Sequence, residues 1–174
     1  MKKILVLLLT LCLFAGCALA EEAVELNWSD AEAAIEEAGI EGSFYTFDDV
    51  AVQVWIPDIF ENKDLTEDNV EDGAIGRFEL ADESAGVYVQ YLEGYSGATM
   101  DEFEAGLAET EAIEVERVVL NGMEGITYTV EDTDAMYLVF ITERGNYVQF
   151  IFYPMSDEGY SSTASLIAMS IQPE

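Results

Sequence analysis

The stretch AMYLVFITERGNYVQFIFYP, residues 135–154, decides the fold of this chain. It holds two runs of alternating side chains, 135–143 and 147–154, on either side of a turn at 144–146, and this pattern predicts a β-hairpin. Both alternating sets are apolar in each run: Met136, Leu138 and Phe140 against Tyr137, Val139 and Ile141, then Val148, Phe150 and Phe152 against Tyr147, Ile151 and Tyr153. Because a strand that is apolar on both sides must be covered on both sides, we expect a sheet with a layer packed on each face.

The residues before this hairpin predict another one. Asn121 and Gly122 join IEVERVVL (113–120) to GITYTVE (125–131), and Asn-Gly is a strong hairpin signal because both residues tolerate positive φ. Apolar side chains alternate with polar ones in 125–131, so we expect that strand near an edge of the sheet or under a thin cover. Two earlier hairpins are predicted in the same way, over 42–57 with a turn at 48–49, and over 74–93 with a loop at 81–84.

Three amphipathic segments predict helices. The first spans 29–38, with Ser29 and Glu32 forming a capping box and Gly39 ending the helix in the left-handed conformation. The second, in 99–110, begins with another capping box formed by Thr99 and Glu102. Its inward face consists of Met100, Phe103 and Leu107.

The third helix follows Ser156, which we expect to be its N-cap. Its inward-facing side chains are Tyr160, Ala164, Ile167 and Ile171. Since the helices must supply the cover that the strands require, the sequence predicts an α+β fold: an α/β/α sandwich with a mainly antiparallel sheet and helices on both faces.

Several of these segments together resemble a known family. VERVVLNGMEGITYTV (115–130), the pair YLVFI and YVQFIFYP, and the closing AMSI are similar to the PsbP-like fold family, which includes small exported bacterial lipoproteins of the DcrB type. The similarity covers about residues 43–172 and consists of packing and turn motifs. It implies a PsbP-like fold and, because members are known mostly as binding or assembly proteins without shared catalytic residues, a binding role with no site to carry over.

The first 20 residues have the pattern of a signal peptide. Lys2 and Lys3 precede 13 uncharged, mostly apolar residues, 4–16, fewer than the roughly 18 that cross a bilayer. Two processing routes are open. Cleavage between Ala20 and Glu21 would free a secreted domain of residues 21–174, whereas Cys17, in FAGC, resembles the lipidated cysteine of a bacterial lipoprotein. We therefore expect a secreted or extracytoplasmic protein, with a membrane-anchored lipoprotein as the alternative.

Residues 21–174 are predicted to form one domain with an extreme charge. All 36 acidic residues but only four of the six basic ones lie in this segment, which gives it a net charge of −32. Phosphate backbones and anionic lipids repel such a domain, so we expect neither nucleic-acid binding nor direct membrane-surface binding unless Cys17 is lipidated. The carboxylates serve either as a solvated coat or as a contact surface for divalent cations or cationic partners, and we expect a protein partner with a basic surface.

No catalytic, cofactor-binding or metal-binding residue is predicted. The chain has no histidine, and its two cysteines, Cys12 and Cys17, lie in the leader, so the commonest general base and thiolate chemistry are missing from 21–174. The expected function is a non-catalytic binding or assembly module of the cell envelope or extracellular space. Two alternatives stay open: a carboxylate-dependent hydrolase, which needs a suitably spaced pair of acids, and a soluble carrier of a lipid or small molecule, which needs an apolar pocket.

One stretch partly matches a calcium-binding loop. In DNVEDGAIGRFE, residues 68–79, Asp68, Asp72, Gly73 and Glu79 occupy the first, fifth, sixth and twelfth positions, but Val70 stands at the third, where an oxygen ligand is required. The residues after Gly73 also predict a strand, whereas such a loop continues into a helix. We therefore expect a plain turn at 72–73 that leads into a strand.

Overall fold

The computed structural model describes residues 23–95 and 97–174. The helices are α1 (Trp28–Ala38), α2 (Glu67–Glu71), α3 (Met100–Leu107) and α4 (Glu158–Met169). The strands are β1 (Val24–Leu26), β2 (Gly42–Phe47), β3 (Val52–Pro57), β4 (Glu61–Asn62), β5 (Ala74–Glu79), β6 (Gly86–Tyr91), β7 (Ala112–Leu120), β8 (Met123–Val130), β9 (Met136–Ile141), β10 (Tyr147–Tyr153) and β11 (Gln172–Pro173). In the described part of the chain, no helix combines the length and apolar character needed to span a membrane.

Eight strands form one large sheet in the order β1-β7-β8-β9-β10-β6-β5-β4. All neighbours in it are antiparallel except β1, which runs parallel to β7. The predicted hairpin β9–β10 lies in the middle of this sheet, with Leu138 opposite Phe150. A second, three-stranded sheet has the order β11-β3-β2. The predicted α+β fold with a mainly antiparallel sheet is confirmed.

Both faces of the large sheet are covered, as the two apolar sets of β9 and β10 require. On one face Phe140 and Phe150 have no exposed surface and belong to the main core, which α1, α4 and the small sheet close. On the other face Val139 and Tyr147 pack against Phe103 of α3. Because the first predicted hairpin leaves the large sheet and packs across its face as β2 and β3, the cover of the main core is part helix and part sheet.

The predicted start of the first helix is wrong. The helix begins at Trp28, and neither Ser29 nor Glu32 makes a capping hydrogen bond. Instead, the Trp28 N–H donates to Oδ1 of Asn121, 2.8 Å away in the turn between β7 and β8. A side chain 93 positions along the chain therefore replaces the local cap. The helix ends as predicted, with Gly39 in the left-handed conformation at φ 66°.

The two remaining predicted helix starts differ in outcome. The Thr99 and Glu102 capping box of α3 is confirmed, with the Thr99 N–H donating to Glu102 Oε2 at 2.8 Å. The predicted cap Ser156 is wrong, because α4 begins one residue later and Asp157 is its N-cap. Ser156 instead donates to the carboxylate of Asp134 and ties the start of α4 to the loop before β9. The side chains predicted to face inward are buried, although Ile171 lies beyond the last residue of α4, Met169.

β8 lies nearer an edge of the large sheet than β9 and β10 do, as expected, although it is not itself an edge strand. β8 is the third strand from the β1 edge, because β7 lies outside it and residues before α1 add β1 beyond β7. Its apolar residues Ile126 and Tyr128 lie in the small cluster beneath α3, a helix of only eight residues. The expected thin cover over this strand is the eight-residue helix α3.

The stretch that partly matches a calcium loop forms a helix, a turn and a strand. Asp68 lies in α2, Asp72 follows the last residue of that helix, and β5 begins at Ala74. Gly73 has a φ of 82°, and a Cβ there would lie 2.6 Å from the Tyr91 carbonyl oxygen. The predicted turn at 72–73 is confirmed.

Candidate functional site

Tyrosines dominate one row of side chains that crosses the large sheet, here called the tyrosine row. The strand registers place Arg77 opposite Tyr88, Tyr88 opposite Ile151, Ile151 opposite Tyr137, and Tyr137 opposite Tyr128. Because neighbouring strands lie about 4.8 Å apart, these five side chains form a line roughly 19 Å long. They lie on the face that α3 partly covers, opposite the main core. Tyr128 is buried, and the other four side chains are half-buried.

Hydrogen bonds running beside the tyrosine row hold its polar neighbours in place. The Tyr128 hydroxyl donates to Gln149 Oε1 at 2.8 Å, the Gln149 amide donates to Gln90 Oε1 at 2.8 Å, and the Gln90 amide donates to the Asp72 carbonyl at 3.3 Å. The rings of Tyr128 and Tyr137 stack with their centroids 5.0 Å apart. Burial raises the pKa of Tyr128, which keeps its phenol protonated as the first donor of this chain.

A buried ion pair lies at the Arg77 end of the row. The Glu79 side chain is 5% exposed, and its Oε2 lies 2.8 Å from Nη2 of Arg77. No donor among the described residues meets Oε2 with hydrogen-bond geometry, so this contact is an ion pair without a directed hydrogen bond. The Tyr153 hydroxyl donates to the other oxygen, Oε1, at 2.5 Å. Burial and then the bond to Glu79 raise the pKa of Tyr153, while pairing with Glu79 raises the pKa of Arg77.

The carboxylates near the row outnumber its one cation. Partial burial raises the pKa of Tyr88; Arg77 opposes this shift, while Asp72 and Glu79 add to it. Glu79 already neutralises Arg77, which leaves Asp72 as the exposed charge acting on this phenol. The face of an aromatic ring attracts a cation, and the negative charge of Asp72 adds to that attraction at Tyr88.

All four basic residues of segment 21–174 are bonded within the chain. The pairings are Lys63 with Glu61, Arg77 with Glu79, Arg117 with Asp101 and Glu104, and Arg144 with the main-chain carbonyls of Asp48 and Asp49. Three of these cations are paired with carboxylates, and Arg144 alone binds neutral carbonyls, so carboxylates predominate on the surface. The field of the domain therefore attracts cationic groups.

An open cleft lies where the β5–β6 loop meets the start of α4. Its volume is about 360 Å³, and its walls include Ile59, Phe60, Leu80, Pro154 and Thr163. Ile59 is 62% exposed at the mouth. The cleft is near the lower end of the size range of small-molecule sites.

The residues of the predicted processing sites, Ala20, Glu21 and Cys17, lie outside the described residues. Across 23–95 and 97–174, no three acidic side chains come together in an arrangement that would hold a metal ion. Trp55, which the sequence places in a strand, is 5% exposed and lies in the main core.

The tyrosine row is not predictable from the sequence. Each member stands in an alternating strand pattern, but the row depends on β6 lying beside β10, and these strands are far apart in the chain. The only sequence signal is that tyrosines recur on one alternating set of β6, β8 and β9. A single chain gives no information on which of those sets align.

Comparisons with known proteins identify the fold. No protein-family model matches the chain, and no curated protein matches it. The solution structure of cyanobacterial PsbP (CyanoP) from Synechocystis sp. PCC 6803 matches with a TM-score of 0.57 and 15% identity, over 78% of this chain and 94% of that one. A crystal structure from Bacteroides thetaiotaomicron VPI-5482 matches with a TM-score of 0.51 and 15% identity, over 78% of this chain and 49% of the other. The resemblance inferred from the sequence is thereby confirmed, and the chain has a PsbP-like fold.

Proposed function

We propose that this protein is a non-catalytic, extracytoplasmic binding module that docks a protein partner with a basic surface on its tyrosine row. The observation that carries the proposal is the combination of two half-buried tyrosines, Tyr88 and Tyr137, in one row across the sheet with a surface whose every cation is already bonded within the chain. Side chains held on adjacent strands lose little freedom on binding, which favours a site of this kind.

The chemistry of the row suits lysine and arginine side chains. A cation over the face of a tyrosine gains about 0.5–1 kcal/mol at an exposed site and about 2 kcal/mol when it is desolvated. Two such contacts are available in the row, at Tyr88 and Tyr137, because Tyr128 is buried. The long-range field of the domain speeds the approach of a basic partner. Because rim charges act mainly on the rate of association, we expect salt to weaken binding chiefly by slowing it.

Export remains part of the proposal. We expect cleavage between Ala20 and Glu21 and release of segment 21–174, with lipidation of Cys17 as the alternative route. The N-terminal sequence of the protein purified from its own cells decides between them: a chain starting at Glu21 supports release. A chain starting at a Cys17 that carries a fatty acid label shows anchoring instead.

The docking proposal is tested by capture from a cell-envelope extract with segment 21–174 as bait. Two substitutions at one position separate the ring from the hydroxyl: Tyr88→Phe keeps the face that binds a cation, whereas Tyr88→Thr removes it but preserves strand propensity. We expect one basic protein to be captured by the wild type and by Tyr88→Phe, and to be lost with Tyr88→Thr and in 0.5 M NaCl. Equal capture by all three proteins would place the contact elsewhere, and turnover of a glycan or ester panel would favour the hydrolase.

The cleft favours a second candidate function, carriage of a small apolar molecule. Its walls are largely apolar, and Ser84, Asp157 and Thr163 add polar groups. Native mass spectrometry of protein purified from its own cells tests this directly. A co-purified ligand that is lost when Ile59→Glu places a charge at the mouth supports the carrier, and an unliganded wild-type mass argues against it.

A further inference from the structure

The free edge of β2 differs from the other free sheet edges in the described residues. β1 has three residues, β4 and β11 have two each, and β11 ends at a proline. Natural proteins protect sheet edges by this kind of shortness, or with charge or proline. β2, GSFYTF, has six residues without a charge or a proline, and it is the outer strand of the small sheet. This edge therefore keeps the features that allow another strand to pair with it.

The direction of its backbone groups follows from its partner strand. The N–H of Trp55 in β3 donates to Oγ of Ser170 at 2.9 Å, so it points away from β2. Phe44, opposite Trp55, is therefore in a pair that makes no hydrogen bonds with β3. Hydrogen-bonded and non-hydrogen-bonded pairs alternate along two antiparallel strands. The N–H and C=O groups of Gly42, Phe44 and Thr46 therefore point outward from the free edge. The Phe44 side chain is 41% exposed.

Charge decides what kind of strand fits this edge. A second copy would bring two domains of net charge −32 together, which their mutual repulsion opposes. Exposed acids lie beyond each end of the strand: Glu41 before Gly42, and Asp48 and Asp49 after Phe47. Arg144 binds the main-chain carbonyls of Asp48 and Asp49, so two carboxylates and one guanidinium leave a net negative charge at that end. An extended segment with neutral, β-forming residues in its middle and basic residues at its ends matches both the backbone and the charges.

We propose that the free edge of β2 binds an extended, basic-ended segment of a partner protein by strand addition. This segment would form a fourth strand in the small sheet through the outward groups of Gly42, Phe44 and Thr46. The edge is on the main-core side of the large sheet, since Tyr45 and Phe47 of β2 pack against Phe78. The tyrosine row is on the opposite face, so this inference does not depend on the proposed function.

Two synthetic peptides, KTVTVTVK and ETVTVTVE, test the inference on segment 21–174. We expect only the lysine-ended peptide to bind, and to slow amide hydrogen exchange at Gly42, Phe44 and Thr46 on the order of tenfold or more. Thr46→Pro removes one outward N–H without touching a bond to β3, because proline is tolerated where the N–H faces solvent, and this change should abolish protection. Tyr88→Thr should leave the protection unchanged.

A second variant covers the case in which Thr46→Pro disturbs the strand. Thr46→Lys keeps the backbone intact at an exposed position, and it should weaken binding of the lysine-ended peptide through like-charge repulsion. Equal binding of the two peptides, or protection at other amides, would overturn the inference. Protection of the same amides without peptide, rising with protein concentration, would show that a second copy is the occupant and would also overturn it.

Discussion

Gly86 makes room for the buried ion pair at the end of the tyrosine row. A Cβ at this position would lie 2.7 Å from Cγ of Glu79 and 2.8 Å from the hydroxyl of Tyr153. It would also lie 2.7 Å from the Phe78 carbonyl oxygen, which belongs to the backbone and cannot rotate away. The contact between Glu79 and Tyr153 therefore requires a glycine between them.

We expect Gly86→Ala to destabilise the domain by about 1–3 kcal/mol, as overpacking of a buried site does. The matched control is Gly106→Ala in α3, where a Cβ meets nothing within 4 Å and alanine favours the helix. Urea unfolding of the two variants measures both effects. Equal stability of Gly86→Ala and the wild type would show that the strands at this site are loosely packed.

Tyrosine burial gives stability a pH dependence in the alkaline range. The pKa values of Tyr128, Tyr153 and Tyr160 are all raised, with burial as the largest cause. A raised pKa in the folded state means that the stabilisation is complete below the unfolded pKa of about 10, and is lost as the pH rises through the higher folded value. We expect Tm to fall above about pH 10.

Tyr153→Phe isolates one of these groups. The variant should melt at a lower temperature than the wild type at pH 8, because Glu79 loses its hydroxyl donor. Its Tm should then fall less steeply between about pH 9 and 11, since one titrating phenol is missing. Melting curves recorded across this pH range test the prediction. If the Tm values of the two proteins fell in parallel, Tyr153 would not contribute to the alkaline loss of stability.

At the scale of the elements, Asn121 joins four parts of the fold. Its side chain accepts the Trp28 N–H that opens α1 and donates to the carbonyls of Met169 and Ile171 at the end of α4, at 2.9 and 2.7 Å. Its backbone, with φ 45°, forms the turn between β7 and β8. The sequence predicts this turn, but its local pattern places the start of α1 at Ser29.

Asn121→Gly should keep the turn and lose three hydrogen bonds, at a cost of about 2 kcal/mol. Asn121→Asp keeps the acceptor for Trp28 but turns a carboxylate toward two carbonyl oxygens, so we expect it to cost more. Ser29→Ala, the control, should change stability by less than about 0.5 kcal/mol, whereas the loss of a true N-cap costs about 1 kcal/mol. A larger loss of stability in Ser29→Ala, measured by urea unfolding, would show that Ser29 caps α1 after all.

These helix starts show how far local sequence determines this fold. The α3 start was predictable because Thr99 and Glu102 satisfy each other within one turn. The start of α1 was not, since the group that meets its first N–H is Asn121, from a distant part of the chain. The start of α4 has a local cap, Asp157, one residue after the predicted Ser156, whose own side chain binds Asp134 instead. The strand pattern of 135–154 predicted the covered sheet because alternate residues of one strand show whether each of its faces is buried. The order of the strands and their partners depend on distant residues and cannot be read from such a pattern.

At the scale of the whole molecule, charge dominates the response to solution conditions. A net charge of −32 destabilises the compact state through self-repulsion, which any salt screens. We therefore expect sodium chloride, magnesium chloride and calcium chloride at matched ionic strength to raise the Tm of segment 21–174 by similar amounts. A calcium shift several degrees beyond that of magnesium, abolished by Asp72→Ala, would instead identify a calcium site at the turn before β5.

The central claim is that cationic groups bind on the tyrosine row, and chemical-shift mapping by NMR tests it most directly. Segment 21–174 is titrated with deca-lysine in 0.15 M NaCl, with the tyrosine ring signals assigned. We expect the ring signals of Tyr88 and Tyr137 to shift in a saturable way, and Tyr88→Thr to weaken the affinity several-fold. Shifts spread over the acidic surface in proportion to its carboxylates, with the two rings unchanged, would contradict the account.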